Sequence, residues 1–463
     1  MPTTLVWLRH DLRLRDNPAL HAAAERGAVV PVWIDEGDEA WAPGAASRLW
    51  LHDNLAAFAA VLARQGSRLV IARGTPFAVL RELVTACGAD AVYWNRRHTP
   101  AGIATDTALK TALGERCTVR SFPGNLLVEP GRLMTAGGTP YKVFTPFHRA
   151  CRAAGPPPTP LPAPASLAPP RTWPASLALG ELAFVPRIDW AGGIRARWPA
   201  GEDAAQAALS AFIADGLAGY ASRRDQPAVA GVSALSPYLC LGQLGVRDAW
   251  WQVEAAIAED GRTAFADAAA AWTRQLVWRE FAWHLLFHFP ATTTAPLRVE
   301  FTDLAWVDDP AGLAAWQRGR TGFPLVDAGM RELWATGYMH NRVRMVAASL
   351  LTKHLGIHWL AGACWFWDTL VDADLANNTL GWQWVAGCGA DAAPYFRIFN
   401  PYAQSQRFDP GGVYLRRWLP ELANLDDAAI HQPPAGLTAY PAPLVELGTA
   451  REAALARYAE IRR

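Results

Sequence analysis

Apolar and polar positions follow two rhythms along this chain. In the first third, short apolar runs alternate with longer stretches of helical spacing. Thr4-Leu5-Val6-Trp7-Leu8 suits a buried strand, and residues 29–34, 68–72, 91–94 and 117–122 repeat the signal. Between the second and third runs, Leu51, Leu55, Phe58 and Leu62 share one helical face, with Gly66 placed to close the helix. Asp16-Asn17-Pro18 reads as an N-cap with proline in the first turn, and Thr75-Pro76 opens a helix that ends near Gly88. Alternation of this kind predicts a parallel sheet wrapped by helices.

A proline-rich connector at 155–170 then breaks the pattern and should be extended and irregular. From about residue 204 the spacing is helical to the end, with helices predicted over 204–214, 247–258, 264–288, 325–336 and 342–355, no strand run and no internal repeat. The expected organisation is an α/β domain over 1–130, a linker over 131–200 and an all-helical domain over 201–463. No G-x-G-x-x-G follows the first strand and no G-x-x-x-x-G-K-[ST] occurs, which argues against a standard dinucleotide or triphosphate site in the α/β part.

The net charge of +1 confines any nucleic-acid contact to a local basic patch. Lysine occurs only at Lys110, Lys142 and Lys353, and the arginine bias is equally well explained by a GC-rich genome. The six cysteines form no C-x-x-C pair and have no histidine at zinc-ligand spacing, so no structural metal is expected and the free thiols point to a reducing cytoplasm. No apolar stretch is long enough to span a bilayer, and Arg9, Asp11 and Arg13 interrupt the opening residues before a signal peptide could form. A monomer is the default. The 22 tryptophans are the unusual count: composition alone favours a Trp-rich helical core, with an aromatic site for bases, flavin or electrons as the sharper alternative.

Four segments of the helical half mix aromatic and polar side chains densely. They are Trp278-Arg279-Glu280-Phe281, the run from Trp316 to Asp327, Met339-His340-Asn341-Arg342-Val343-Arg344-Met345, and the run from Asp372 through Gly381-Trp382-Gln383-Trp384 to Pro401. Carboxylates such as Asp372 and Asp374 among so many indoles need a cationic partner, for which Arg344 is the candidate.

These segments, with Val6-Trp7-Leu8-Arg9, Tyr141-Lys142-Val143-Phe144-Thr145-Pro146-Phe147 and Arg417-Trp418-Leu419-Pro420-Glu421, resemble the photolyase/cryptochrome family, closest to bacterial class I cyclobutane pyrimidine dimer photolyases. The resemblance covers nearly the whole chain. It implies a Rossmann-like antenna domain, a long linker and a helical domain holding a bent FAD. Its implied activity is repair of UV-damaged DNA by light-driven electron transfer from reduced FAD to a flipped-out dimer, in a bacterial cytoplasm.

By position, the resemblance places Tyr220, Val232, Ser233, Leu235 and Ser236 near the FAD phosphates. Trp272, Arg279, Asn341, Arg344, Asp372, Asp374 and Asn378 would surround the rest, with Asn378 facing the flavin N5. Val232 and Ala234 stand where the family has a hydroxyl and a basic residue. Trp306, Trp359 and Trp382 match an electron-transfer chain from surface to flavin. Trp278 and Trp384 match the stacking walls of the lesion pocket, with Asn341 and Met345 close by and Arg224, Arg342 and Arg397 as phosphate or lesion contacts. Gln275 stands where cyclobutane-type enzymes carry Glu, as it does in 6-4 photolyases and many cryptochromes; Met345 stands where the 6-4 enzymes carry His. The dimer-repair reading is therefore kept, with a cryptochrome-like photoreceptor as the main alternative and a 6-4 photolyase or a light-independent DNA-binding protein behind it. Pro43 and Gly102 occupy the folate-binding positions, which favours a deazaflavin or flavin over folate as a second chromophore and leaves an empty antenna pocket open.

Overall fold

The computed structural model describes residues 1–37 and 41–462. Five strands form one parallel sheet: β1 (Thr3–Leu8), β2 (Ala28–Asp35), β3 (Val70–Arg73), β4 (Ala91–Asn95) and β5 (Thr118–Phe122), in the order β3-β2-β1-β4-β5. The predicted α/β pattern holds, with the third strand shifted by two residues at its start. β1 lies at the centre and all six of its residues are buried, as expected for a strand covered on both faces. Leu5 pairs with Val30 on one side and with Val92 on the other. Asn17 caps the first helix by accepting from Leu20 N at 3.2 Å, whereas Thr75 starts its helix without a side-chain cap.

The order reverses beside β1, where the chain leaves for β2 and returns at β4. Such a switch point opens a crevice at the carboxyl ends of the strands. Arg9, just beyond β1, is buried there against Asp106 of the helix Pro100–Gly114, with Nη1 donating at 2.6 Å, and Trp94 Nε1 donates to the same carboxylate at 2.8 Å. A buried guanidinium persists only with such pairing.

The connector is irregular, as expected, but it is pinned along its length. Asp16 N donates to Leu161 O, Val29 N to Ala168 O and Leu177 N to Ile71 O, each within 2.9 Å. Ahead of it, the helix Phe144–Ala153 packs on the helical half through Phe144, Phe147, Val277 and Phe281. The two halves are further joined where Arg247 Nη2 donates to Asp16 Oδ1 at 2.6 Å, both side chains being buried.

The helical half is organised around the helix Thr263–His288. Against it pack Leu375–Ala386 and the π-helical and 3-10 turns after residue 211. Two predicted helices end early. The helix Glu202–Ala211 gives way to a π turn over Phe212–Gly216, and Asn341–Ser349 to one over Leu350–His354, where Leu355 N bonds Leu350 O. The second wide turn carries the buried Lys353, whose Nζ donates to Tyr395 O at 2.7 Å. Side-chain periodicity does not encode such one-residue widenings. No helix among the described residues is long and apolar enough to cross a membrane.

Candidate cofactor and substrate cavity

Four separate elements meet around a cavity of about 610 Å³ in the helical half. The helix Thr263–His288 contributes Trp272, Gln275 and Arg279, spaced at i, i+3 and i+7 on one face, with Trp278 beside them. The helix Asn341–Ser349 supplies Asn341, Arg342, Arg344 and Met345 from its first two turns. The helix Leu375–Ala386 supplies Asn378, Trp382 and Trp384, with Asp372 and Asp374 just before it. Tyr220, Arg224 and the loop Val232, Ser233, Leu235 and Ser236 close the remaining side. Nineteen of the residues singled out in the sequence thus line one space, although they run from Tyr220 to Trp384 along the chain.

Charge in this space is paired internally. Arg344 Nη2 donates to Asp372 Oδ2 at 2.9 Å and to Oδ1 at 3.1 Å, its Nε donates to Met339 O at 2.6 Å, and Ser236 Oγ donates to Asp372 Oδ2 at 2.6 Å. Burial disfavours the charged guanidinium most, but Asp372, Tyr338 and Glu332 together outweigh it and hold the Arg344 pKa above its ordinary value. Asp374 does not share this partner. It caps the helix Leu375–Ala386, accepting from Asn377 N at 2.8 Å and from Asn377 Nδ2 at 2.7 Å. Asn378 is oriented by its Nδ2, which donates to Ala363 O at 3.0 Å.

The helix Asn341–Ser349 is started by His340, whose Nδ1 accepts from Arg342 N at 3.2 Å. Burial pushes the His340 pKa down to about 4, so the ring stays neutral and keeps that lone pair available. One turn later Met345 Sδ lies 3.9 Å from Asn341 Nδ2 and 3.7 Å from Arg342 Nη1. Arg342 also pairs with Asp225 Oδ1 at 2.7 Å. Gln275 Nε2 donates to Ala271 O of its own helix at 3.1 Å, a bond a carboxylate could not make. Ala234, at the place where the family carries a basic residue, holds φ at 52°, a left-handed conformation that strains any side chain with a Cβ.

Trp306, Trp359 and Arg397 stand outside the cavity wall, whereas Trp382 forms part of it. Trp306 and Trp359 both contact His358, with ring centroids 4.8 and 5.6 Å away. Trp382 lies edge-on to Phe366 at 5.0 Å and to Trp316 at 6.0 Å. It presses on the helix Trp359–Thr369 at Gly362, where a Cβ would overlap its ring. Arg397 is exposed on the loop after Pro394. Phe366, Leu370, Leu239 and Val385 also line the cavity and were not singled out, because an apolar wall residue has the same pattern as a core residue.

A second cavity, of about 560 Å³, sits at the switch point of the sheet. Arg9 and His10 follow β1, Trp33 to Gly37 come from the end of β2, and Arg96 to Ala101 follow β4. Trp41, Trp283 and Trp367 complete it from outside the sheet, and Pro43 lines it whereas Gly102 does not. Burial and the neighbouring Arg97 and Arg9 push the His10 pKa down to about 3, so it faces this space uncharged. Trp283 Nε1 is buried with no hydrogen-bond partner among the described residues. Leu239, Cys240, Arg279, Ala373 and Asp374 line both cavities and form the wall between them.

The fold and the larger cavity define a two-part protein with a cofactor-sized site in its helical half, roughly 300–1,000 Å³ being usual for such sites. Residues 4–165 match the family described as DNA photolyase, and residues 272–460 match the FAD binding domain of DNA photolyase. A deoxyribodipyrimidine photo-lyase of Agrobacterium fabrum is 46% identical over 474 aligned residues, covering 99% of this chain and 98% of that protein. The crystal structure of a bacterial class III photolyase from Agrobacterium tumefaciens has a TM-score of 0.96 at 45% identity, covering 100% of this chain and 98% of that one. An archaeal photolyase from Sulfolobus tokodaii, solved with two FAD molecules, has a TM-score of 0.84 at 27% identity, covering 99% of this chain and all of that one. The chain belongs to the photolyase/cryptochrome family.

The helical half is accordingly an FAD-binding domain, and its cavity fits that group chemically. Serine hydroxyls and arginines stand at one side, suited to phosphate oxygens. Trp272, Phe366 and Leu370 offer flat and apolar surface for ring systems, and Asn378 offers an oriented amide.

Proposed function

We propose that this protein splits cyclobutane pyrimidine dimers in DNA, using light, with FAD held in the larger cavity and the dimer flipped into its mouth. One observation carries the reading: the indoles Trp278 and Trp384 line the same continuous space as Asn378, Arg344 and Asp372. A flavin and a damaged base pair can therefore share one enclosure. Reduced FAD, when bound, would lend a photoexcited electron that breaks the two cyclobutane C–C bonds and returns to the flavin once the pyrimidines separate, leaving no net redox change.

The chain's own groups have distinct tasks. Trp278 and Trp384 stack on the flipped bases, each such contact contributing roughly 1–3 kcal/mol. Met345, with Asn341 and Arg342 close against its sulfur, gives the floor a soft apolar edge with amide and guanidinium donors beside it. Arg224, Arg342 and the exposed Arg397 contact flanking phosphates. The Arg344–Asp372 pair anchors the cofactor side, and Asn378 presents a neutral amide to the flavin N5. Trp382, Trp359 and Trp306 carry electrons inward when the flavin must be reduced. The switch-point cavity holds a second planar chromophore: its tryptophans supply stacking surface, and Trp283 Nε1 offers an unengaged donor. A deazaflavin or flavin suits that lining.

Gln275 favours a second reading, a cryptochrome-like photoreceptor, because it stands where cyclobutane-type enzymes carry Glu and one of its two amide N–H groups is engaged by Ala271 O. The experiment is illumination of the reduced protein with oligonucleotides carrying one cyclobutane thymine dimer or one 6-4 photoproduct. The proposal expects light-dependent loss of the cyclobutane dimer alone. Loss of only the 6-4 lesion, or of neither, overturns it.

A further inference from the structure

The motif Tyr141-Lys142-Val143-Phe144-Thr145-Pro146-Phe147 is prominent in the sequence, yet none of its residues lines either cavity described above. Its contact with the larger cavity is indirect and runs through one ring pair. Phe144 and Trp278 lie face to face with centroids 3.7 Å apart and planes 3° from parallel. The next closest parallel pair among the described residues, Tyr395 and Tyr458, is 4.5 Å apart. Aromatic pairs ordinarily settle at centroid separations of roughly 4.5–7 Å, offset or edge-on. A near-eclipsed stack therefore needs surroundings that hold it.

Those surroundings are present. Phe281 stands edge-on to both rings, 5.9 Å from Phe144 and 5.8 Å from Trp278, and blocks their rotation. His148 stacks parallel to Phe144 at 5.6 Å, and the Arg274 guanidinium lies 5.3 Å from the Phe144 ring. The backbone is tethered as well: Phe144 N donates to Asp391 Oδ2 at 3.2 Å. Phe144 is thus fixed between the long helix and the loop that follows Leu375–Ala386, and it is 1% exposed. Trp278 remains half-buried and lines the cavity.

We propose that Phe144 is a positioning residue for lesion recognition, holding the Trp278 indole as a fixed wall against which a flipped pyrimidine dimer stacks. The inference rests on the reading of the cavity given above. A side chain already held in its bound orientation loses less conformational freedom when the ligand arrives. Without the ring behind it, the indole swings, and each binding event must order it again. The effect falls on damaged DNA alone, because undamaged DNA leaves no base against this wall.

The test compares wild type, Phe144→Leu, Phe144→Tyr and Asp391→Gly. The readouts are affinity for a duplex with one thymine dimer, affinity for the undamaged duplex, and flavin content. Phe144→Leu should weaken dimer binding about three- to tenfold, in line with the value of an aromatic pair. Affinity for undamaged DNA and flavin content should not change. Phe144→Tyr, which keeps the ring, should stay within about twofold of wild type on the same argument. Asp391→Gly removes the tether at a surface position whose φ of 48° glycine adopts without strain, and should weaken dimer binding in the same direction by less. If Phe144→Leu cannot be isolated with flavin, Asp391→Gly decides the matter. Unchanged dimer affinity in Phe144→Leu and Asp391→Gly overturns the positioning role while wild type still prefers damaged DNA. A wild type with no such preference overturns both this role and the reading of the cavity.

Discussion

The two cavities of this protein are of similar size, about 610 and 560 Å³, and were unequally visible in the sequence. The helical cavity is built from dense segments, each supplying several residues from one helical turn, so its chemistry clusters along the chain. The switch-point cavity is assembled from strand ends and the segments that follow them, such as Trp33 to Gly37 and Arg96 to Ala101, and from distant helices, and none of these runs stood out by composition. Topology rather than local composition creates it. Both cavities pair charge: the helical one joins Arg344 to Asp372, and the other joins Arg97 to Glu36 and Arg73 to Asp35 beside its indoles and a histidine kept neutral.

The sharpest way to break this comparison is to open the Arg344–Asp372 pair. Arg344→Met leaves Asp372, whose side chain is 4% exposed, without a cation, and losing these charge-assisted hydrogen bonds costs about 1.5–3 kcal/mol. Flavin content should collapse, while any chromophore in the switch-point cavity stays bound; absorbance of the purified protein reports both. Next in size is Trp278→Ala, which should weaken binding of dimer-containing DNA by about 1–3 kcal/mol and leave flavin content unchanged, as measured by titration.

A pH effect separates the cavities further. The His340 pKa falls to about 4, first because the ring is buried; the Arg224 backbone and Asp225 oppose the fall, and Arg344 and Arg342 add to it. The folded state therefore binds fewer protons than the unfolded chain between about pH 4 and its ordinary 6.5, so stability rises with pH across that window. As pH falls through it, the cap on Asn341–Ser349 weakens and flavin retention should drop. His340→Asn, which caps without titrating, should flatten the retention curve over that range. The smallest effect concerns the phosphate side. Ala234→Gly relieves a left-handed alanine and should stabilise the protein by about 0.5–1 kcal/mol, seen as a small rise in melting temperature.

Much of the fold was legible because it rests on strong periodic signals. The strand runs around Leu5, Val30 and Val92 each read as buried, and all three pair at the sheet centre. The long helix Thr263–His288 was placed to within one residue. What escaped depended on contacts between distant segments. Lys353 sits on a π turn that no pattern announces, because inserting one residue into a turn leaves the apolar spacing almost intact. The connector read as extended and irregular, which it is, but the backbone bonds by which Leu161 and Ala168, and Leu177 just beyond, tie it to the α/β half are not encoded in composition. Asp374 was grouped with Asp372 as a partner of Arg344 on proximity in sequence, but its place at the head of a helix made it a cap. Phe144 could be seen only as part of a motif, since its partner Trp278 lies 134 positions away.

The central claim is that chemistry belongs to the helical cavity and that the switch-point cavity only gathers light. The most direct measurement is dimer repair under saturating blue light by Arg344→Met and by Trp283→Phe, in parallel with wild type. The account predicts that the first variant loses repair and the second keeps it at the wild-type level. Repair that survives Arg344→Met and fails in Trp283→Phe would contradict it.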